Sequence, residues 1–142
     1  MEVNSRDAIP GLLGQMVPGL KEQAQAQAAE DLDFYDFLKD VFTDGFLIPR
    51  LCSMTADGVD DDDLKRCFRF VELLLASPDI SIGAAAVFQV IEPLFDEERL
   101  LLASFPQMGG EALAVAVGTI DPDRLSSEAR RALQPYLGKP DQ

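Results

Sequence analysis

The fold is decided by residues 64–75, LKRCFRFVELLL, which carry the clearest amphipathic pattern in the chain. Apolar side chains recur there three or four positions apart, and this spacing places them on one face of an α-helix. Those apolar residues are Leu64, Cys67, Phe68, Val71, Leu74 and Leu75. Ser77-Pro78-Asp79 follows and predicts the end of the helix, because proline has no N–H and clashes with the preceding turn. The stretch therefore predicts a helix that buries one face in a helical core.

The same spacing extends towards the N-terminus. Apolar positions from Glu30 to Leu51 predict a core helix, with a bend or break where Gly45 and Pro49 fall. Residues 9–20 predict a shorter helical piece that is interrupted by its prolines. We therefore expect several helices of unequal length before residue 64.

Helical spacing also continues towards the C-terminus. Residues 80–95 are apolar almost all the way round, which predicts a helix in the middle of the molecule. Within it we expect Glu92 to be buried and bonded to a free backbone amide. Further helices are predicted for residues 96–105 and 110–117, and Asp121 and Pro122 are expected to begin the last one.

Short connections between successive helices imply antiparallel neighbours. We therefore predict an all-α, single-domain helical bundle of about six or seven helices over residues 1–142, or a short stack of HEAT-like helical hairpins. Residues 113–117 alternate in the manner of a strand, but a single short strand without a partner is disfavoured.

The composition excludes several classes of function. Twelve Lys and Arg against twenty-five Asp and Glu give a formal net charge of −13. Direct nucleic-acid binding requires cations at the phosphates, and anionic membranes repel an acidic chain, so we expect neither partner. The chain has no histidine, the commonest general base and a common zinc ligand. We therefore predict a protein that is not an enzyme, with no catalytic residues, no metal and no cofactor.

The polar N-terminus and the lack of a long apolar run predict a cytoplasmic protein without a signal peptide or membrane span. In such a chain, Cys52 and Cys67 are expected to be reduced residues of the core.

Five carboxylates stand within residues 57–63, DGVDDDD. A calcium loop that starts at Asp57 would need an oxygen ligand at its third position, which is Val59, and a glutamate at its twelfth, so this interpretation fails. The run is typical of a helix start instead, because carboxylates stabilise the first turn. An N-cap near residues 60–61 predicts that Asp61 faces Lys65 and that Asp62 faces Arg66.

A second acidic feature lies on the preceding predicted helix. Asp33, Asp36, Asp40 and Asp44, here called the acidic stripe, are spaced three, four and four residues apart. An ideal α-helix confines them to an arc of about 80°. Each adjacent pair repels by roughly 0.2–0.5 kcal/mol. Within three or four positions of the stripe the sequence offers one cation, Lys39, which lies beside Asp36.

Two interpretations of the acidic stripe remain open. Residues 30–63 hold a net −9 of the total −13, so the charge is concentrated. A stripe that weakens its own helix is better explained if a basic surface of another protein neutralises it. Alternatively, the face is solvated and serves only solubility.

The residues from Leu64 to Phe95 resemble a family of small, largely uncharacterised helical bacterial proteins. The similarity lies in FRFVELLL, residues 68–75, followed after a Pro-Asp turn by VFQVIEPLF, residues 87–95. Some members of that family look like immunity proteins encoded beside secreted toxins. The resemblance implies a helical fold and a role in inhibition, and it does not extend to the acidic stripe.

The leading functional hypothesis is therefore an acidic protein-binding module, such as an immunity or inhibitor protein that masks a basic surface of a toxin. The alternative is a helical scaffold or regulatory module that binds a partner helix in an apolar groove, with its charge serving only solubility.

Overall fold

The structure, a computed structural model, describes residues 6–28, 33–53 and 62–136. Within these ranges the chain is all-α, as predicted, and residues 113–117 are helical rather than extended. The helices are α1 (Ile9–Met16), α2 (Lys21–Ala28), α3 (residues 34–53), α4 (Asp62–Leu75), α5 (residues 80–91), α6 (Glu98–Ser104), α7 (Gly110–Thr119) and α8 (Ser127–Leu133). None of these helices has the length and apolar character needed to cross a membrane.

Helix α4 organises the bundle because its apolar face is buried almost completely. It packs against α1, α5 and α7, and Phe70 meets Phe42 of α3 with ring centroids 5.2 Å apart. The buried apolar side chains form one cluster that extends from Ile9 to Leu133. Since each fully buried side chain of this size contributes about 1.5–3 kcal/mol, this cluster is the main source of stability.

The opening of the chain is broken as expected. α1 ends at Met16, Val17 leaves the helical conformation, and a single 3-10 turn, Pro18–Leu20, leads into α2. α1 and α2 then pack against each other. This break separates two short helices and raises the number of helices in the described ranges to eight, slightly above the six or seven expected.

The break predicted as one alternative at Gly45 and Pro49 is wrong, because α3 continues through both residues. It widens instead into a π-helix over Leu38–Leu47, in which the N–H of Ile48 donates to the carbonyl of Thr43, five residues earlier. Pro49 contributes to the widening, since a proline cannot donate to the carbonyl four residues back and its ring clashes there.

Helix α5 widens in the same way ahead of its own proline. Val87–Ile91 is a π-helix that ends with a bond from the N–H of Glu92 to the carbonyl of Val87. Pro93 follows and removes one N–H donor from the end of this helix. The buried hydroxyl of Thr43 donates to the carbonyl of Gln89 at 2.6 Å, so a side chain of α3 bonds to the main chain of α5 shortly before its proline.

Helix α5 does not lie in the middle of the molecule, contrary to the prediction. Ile80 is 85% exposed and Phe88 is 55% exposed. The other side of the segment is buried through Ile82, Ala85, Ala86, Val90 and Ile91. Glu92 is exposed as well, in a 3-10 helix, Glu92–Asp96, so its predicted burial is also wrong. Apolar character on both sides of a helix therefore did not mean burial on both sides.

The last helix begins later than predicted. Asp121 and Pro122 lead into a 3-10 turn, Pro122–Arg124, whereas α8 is capped by Ser126, whose Oγ accepts the N–H of Ala129 at 3.1 Å. Glu98 of α6 holds this cap, because its carboxylate accepts from both the N–H and the hydroxyl of Ser126. A contact from a distant helix thus sets the start of α8.

A carboxylate from another helix also caps α7. Glu72 of α4 accepts the backbone N–H groups of Glu111, at 2.8 Å, and Ala112. Gly110 precedes them with φ +50°, and a Cβ there would lie 2.3 Å from Glu72 Oε1. Glycine suits this position best, because other residues disfavour positive φ and would add a Cβ beside the Glu72 carboxylate.

The two cysteines have different environments. Cys67 is buried in the core, as expected, but Cys52 is exposed at the end of α3, so its predicted burial is wrong. Neither thiol forms a disulfide bond with a described residue.

Candidate protein-binding site

The acidic stripe lies at the start and in the wide part of α3. Asp36, Asp40 and Asp44 are all exposed. Asp33 is exposed too, but it is the N-cap of α3, and its Oδ1 accepts the N–H of Tyr35 at 2.8 Å. One member of the acidic stripe therefore supports its own helix, and the other three present their carboxylates along the surface.

The π-helix changes which residues of the acidic stripe are neighbours. Hydrogen bonds in a π-helix connect residues five positions apart, so the arc expected for an ideal α-helix does not apply to Asp40 and Asp44. The ion pair on this face follows the new spacing, with Lys39 Nζ 3.3 Å from Asp44 Oδ2, five residues on. Lys39 therefore neutralises Asp44. The sequence spacing had indicated Asp36 as its neighbour instead.

Internal neutralisation of the acidic stripe stops at that pair. The side chains of Lys39 and Asp44 are 53% and 51% exposed, so the pair is worth at most about 1 kcal/mol. Neither Asp36 nor Asp40 forms an ion pair or a side-chain hydrogen bond with any residue in the described ranges. Two carboxylates of the acidic stripe thus face solvent without a described counter-charge.

The neighbouring acidic run is used differently. Residues 57–61 lie outside the described ranges, and so does the predicted pair of Asp61 with Lys65. Asp62 and Asp63 stand in the first turn of α4. Arg66 pairs with Asp63, three residues earlier, at 3.3 Å, rather than with Asp62 as predicted. Arg50 of α3 contacts the same carboxylate at 3.4 Å, so Asp63 joins the end of α3 to the start of α4.

A cleft of about 470 Å³ opens on the side of the molecule formed by the C-terminal half of the chain. Its apolar lining comes from Phe95, which follows α5, Leu101 of α6, and Ile120 and Leu125, which connect α7 to α8. Leu101 is buried, whereas the other three are half-buried and leave apolar surface open. The volume lies within the roughly 300–1,000 Å³ typical of binding pockets.

Four carboxylates surround this apolar lining, and two of them have internal partners. Both oxygens of Glu98 accept hydrogen bonds from Ser126. Asp121 uses Oδ1 to accept the N–H of Asp123 at 3.0 Å. These two residues therefore help to build the wall that connects α7 to α8.

The other two carboxylates at the cleft, Glu92 and Asp96, are exposed and have no hydrogen-bond or ion-pair partner in the part of the chain that the structure describes. Arg124 also lines the cleft, yet it forms no ion pair with a described acidic residue. Across the described residues, no three carboxylates or thiols converge in the way that metal ligands do. The cleft therefore combines an apolar floor with separated, unneutralised carboxylates.

Hydrophobic spacing placed the acidic stripe on a helix but missed the cleft. The apolar residues of the cleft come from three segments spread over residues 95–125, and no spacing within one segment relates them. The one local signal is the i, i+4 separation of Glu92 and Asp96, which on its own is common on solvated helices.

Comparison with known proteins adds no relative, since models of known protein families, curated proteins and solved structures give no match to this chain.

Proposed function

We infer that this protein is a non-enzymatic binding module whose acidic stripe docks on a basic surface of a protein partner. The observation that supports this proposal most is the exposure of Asp36 and Asp40 without a counter-charge among the described residues. Repulsion along such a face costs stability that a cationic partner would restore.

An immunity or inhibitor protein is the most concrete form of this function. A toxin that acts on an anionic substrate needs a basic active site, and carboxylates placed over that site would compete with the substrate. A net charge of −13 would also accelerate the encounter with a basic partner. Binding of this kind weakens as salt rises, because exposed charges are screened beyond a Debye length of about 10 Å at 0.1 M.

The test is capture of a partner from the native host by the immobilised chain, at low and then at high salt. The triple variant Asp36→Asn, Asp40→Asn, Asp44→Asn should lose the captured protein, or associate with it at least about tenfold more slowly at low salt. Its own thermal stability should be unchanged or higher.

The matched control removes the same charge elsewhere, through Glu111→Gln, Asp123→Asn and Glu128→Gln. These three residues are exposed and lie on or near α7 and α8. The control should retain the captured protein. Equal capture by the wild-type chain and the variant of the acidic stripe would refute docking there.

The cleft supports a second candidate, a helical module that binds a partner helix in an apolar groove. Its apolar floor includes the half-buried side chains of Phe95 and Leu125, and groove binding requires such accessible apolar surface. Capture that survives high salt would favour this candidate over docking at the acidic stripe.

A further inference from the structure

We propose that the cleft receives the apolar face of a basic amphipathic helix from another protein. The inference rests on the second candidate function and does not depend on the acidic stripe. It commits to an occupant with two properties, apolar side chains for the floor and Lys or Arg residues for the rim.

The apolar requirement comes from the floor. Phe95, Ile120 and Leu125 are half-buried side chains that face one cavity of about 470 Å³. Apolar surface that is already partly enclosed gains more from a complementary apolar side chain than from water. An amphipathic helix supplies such side chains at i, i+3 or i+4 spacing.

The basic requirement comes from the rim. Glu92 and Asp96, four residues apart, line the cleft together with Glu98 and Asp121, and the lining residues include one cation, Arg124. Because Glu92 and Asp96 have no partner in the described ranges, a cation of the ligand can pair with them without displacing an internal contact. Metal ions are a poor fit, since the described carboxylates do not converge as ligands.

Charge also argues against a second copy of this protein as the occupant of the cleft. A second copy carries the same net charge of −13 and would bring further carboxylates to an acidic rim. A basic segment is attracted to the same rim. The cleft is therefore complementary to a cationic helix.

The experiment uses the full chain and a designed amphipathic Leu/Lys peptide of about 15 residues, long enough to become helical on binding. A Ser/Lys peptide of equal length and charge is the matched control. Affinity is measured by fluorescence anisotropy, and the site is located by amide chemical-shift changes. We expect the Leu/Lys peptide to bind at least about tenfold more tightly, with the largest shifts around residues 92–101 and 119–125.

The double variant Glu92→Gln, Asp96→Asn should weaken binding of the Leu/Lys peptide roughly threefold to tenfold, as expected for the loss of two exposed ion pairs. The double variant Asp36→Asn, Asp40→Asn removes the same charge from the acidic stripe and should leave the affinity within about twofold.

Four results would overturn the proposal. Equal binding of the two peptides would mean that charge alone attracts them. An equal loss in both double variants, or shifts away from the cleft, would place the peptide elsewhere. If hexylammonium alone bound as tightly as the peptide, the cleft would be a site for small organic cations. Docking at the acidic stripe is tested separately by partner capture, so either proposal can fail without the other.

Discussion

Thr43 and Gln89 form a contact on which two helices depend. Thr43 is fully buried, and its hydroxyl donates to the carbonyl of Gln89, four residues before Pro93, which has no N–H to donate. Replacing Thr43→Val keeps the shape of the side chain but leaves that carbonyl unsatisfied. We expect the free energy of unfolding to fall by about 1–3 kcal/mol, measured by urea denaturation.

Thr119 provides the matched control for this substitution. Its hydroxyl also donates to a carbonyl, that of Val115 at 2.8 Å, but the residue is exposed and water can replace the bond. Thr119→Val should change stability by no more than about 0.5 kcal/mol. Similar effects of the two substitutions would show that the buried bond has no special role.

Glu72 is a second residue whose role is set by a distant helix. Glu72→Ala removes the acceptor for the amides of Glu111 and Ala112 and should cost about 1.5–3 kcal/mol. Hydrogen exchange at those two amides should accelerate more than elsewhere in α7. Glu128→Ala is the control, because this exposed residue contributes only about 0.3–1 kcal/mol through the dipole of α8. Equal losses in the two variants would contradict the capping role.

Several residue roles could be predicted from the sequence, and the exceptions share a cause. Ser77-Pro78-Asp79 follows the end of α4 at Leu75, as predicted. Ser126 was missed as the cap of α8 because Asp121-Pro122 is the stronger local signal. The carboxylate of Glu98, 28 residues away, holds Ser126 in place. When two local signals for the start of a helix compete, a contact with a residue distant in the sequence therefore decides which one is used.

Among the helices, the wide part of α3 depends on Gly45. A Cβ at this position would lie 2.8 Å from the carbonyl oxygen of Asp40, closer than real contacts allow. Gly45→Ala should therefore destabilise the protein by about 1–3 kcal/mol, because the helix must shift to relieve the overlap. The measurement is chemical denaturation, together with amide chemical shifts of residues 38–47.

Gly118 is the matched control within α7, since a Cβ there would meet nothing within 4 Å. Gly118→Ala should raise stability by about 0.5–1 kcal/mol, the ordinary gain of replacing a helical glycine. If Gly45→Ala also stabilised the protein, the close approach to Asp40 would not constrain α3.

The sequence predicted where the helices lie but not how wide they are. The spacing of apolar residues located α3 and α5, because burial of one face of a helix requires apolar residues every three or four positions. Gly45 and Pro49 indicated a disturbance, yet they could not distinguish a break from a π-helix. That choice depends on packing across the bundle, where Thr43 of one helix meets Gln89 of the other.

At the scale of the whole molecule, the excess negative charge should reduce stability when salt is low. Raising the salt concentration from about 0.01 M to about 1 M shortens the Debye length from about 30 Å to about 3 Å. We expect the free energy of unfolding to rise accordingly. The double variant Asp36→Asn, Asp40→Asn should be more stable than the wild type at low salt, by up to about 1 kcal/mol, with a smaller difference at high salt.

The control for charge removal is the pair Glu111→Gln, Glu128→Gln. Both residues stand in the first turn of a helix, where a carboxylate is favourable, and so does Asp36. Unlike Asp36, however, Glu111 and Glu128 have no acidic residue three or four positions away, so this pair should lower stability at low salt. A variant of the acidic stripe that lost stability in the same way would show that its carboxylates do not repel each other.

The all-α architecture could be predicted for the molecule as a whole, whereas the cleft could not. Core composition and helical spacing are properties of the sequence. The cleft arises where α6 and the connection from α7 to α8 fail to close over Phe95. Such a gap depends on how whole helices pack against one another, and the spacing of residues within a single helix does not reveal it.

The contact between the π-helical parts of α3 and α5 also couples the positions of the exposed aspartates on α3 to the hydrogen-bond register inside the bundle. A ligand that drew the backbone of α5 away from Thr43 would remove one restraint on the register of α3. If α3 then tightened to the ordinary register, Asp40 and Asp44 would turn about the helix axis relative to Asp36. The orientation of Asp40 and Asp44 on α3 therefore depends on the main chain of α5, through the hydrogen bond between Thr43 and Gln89. None of the carboxylates of the acidic stripe takes part in that bond.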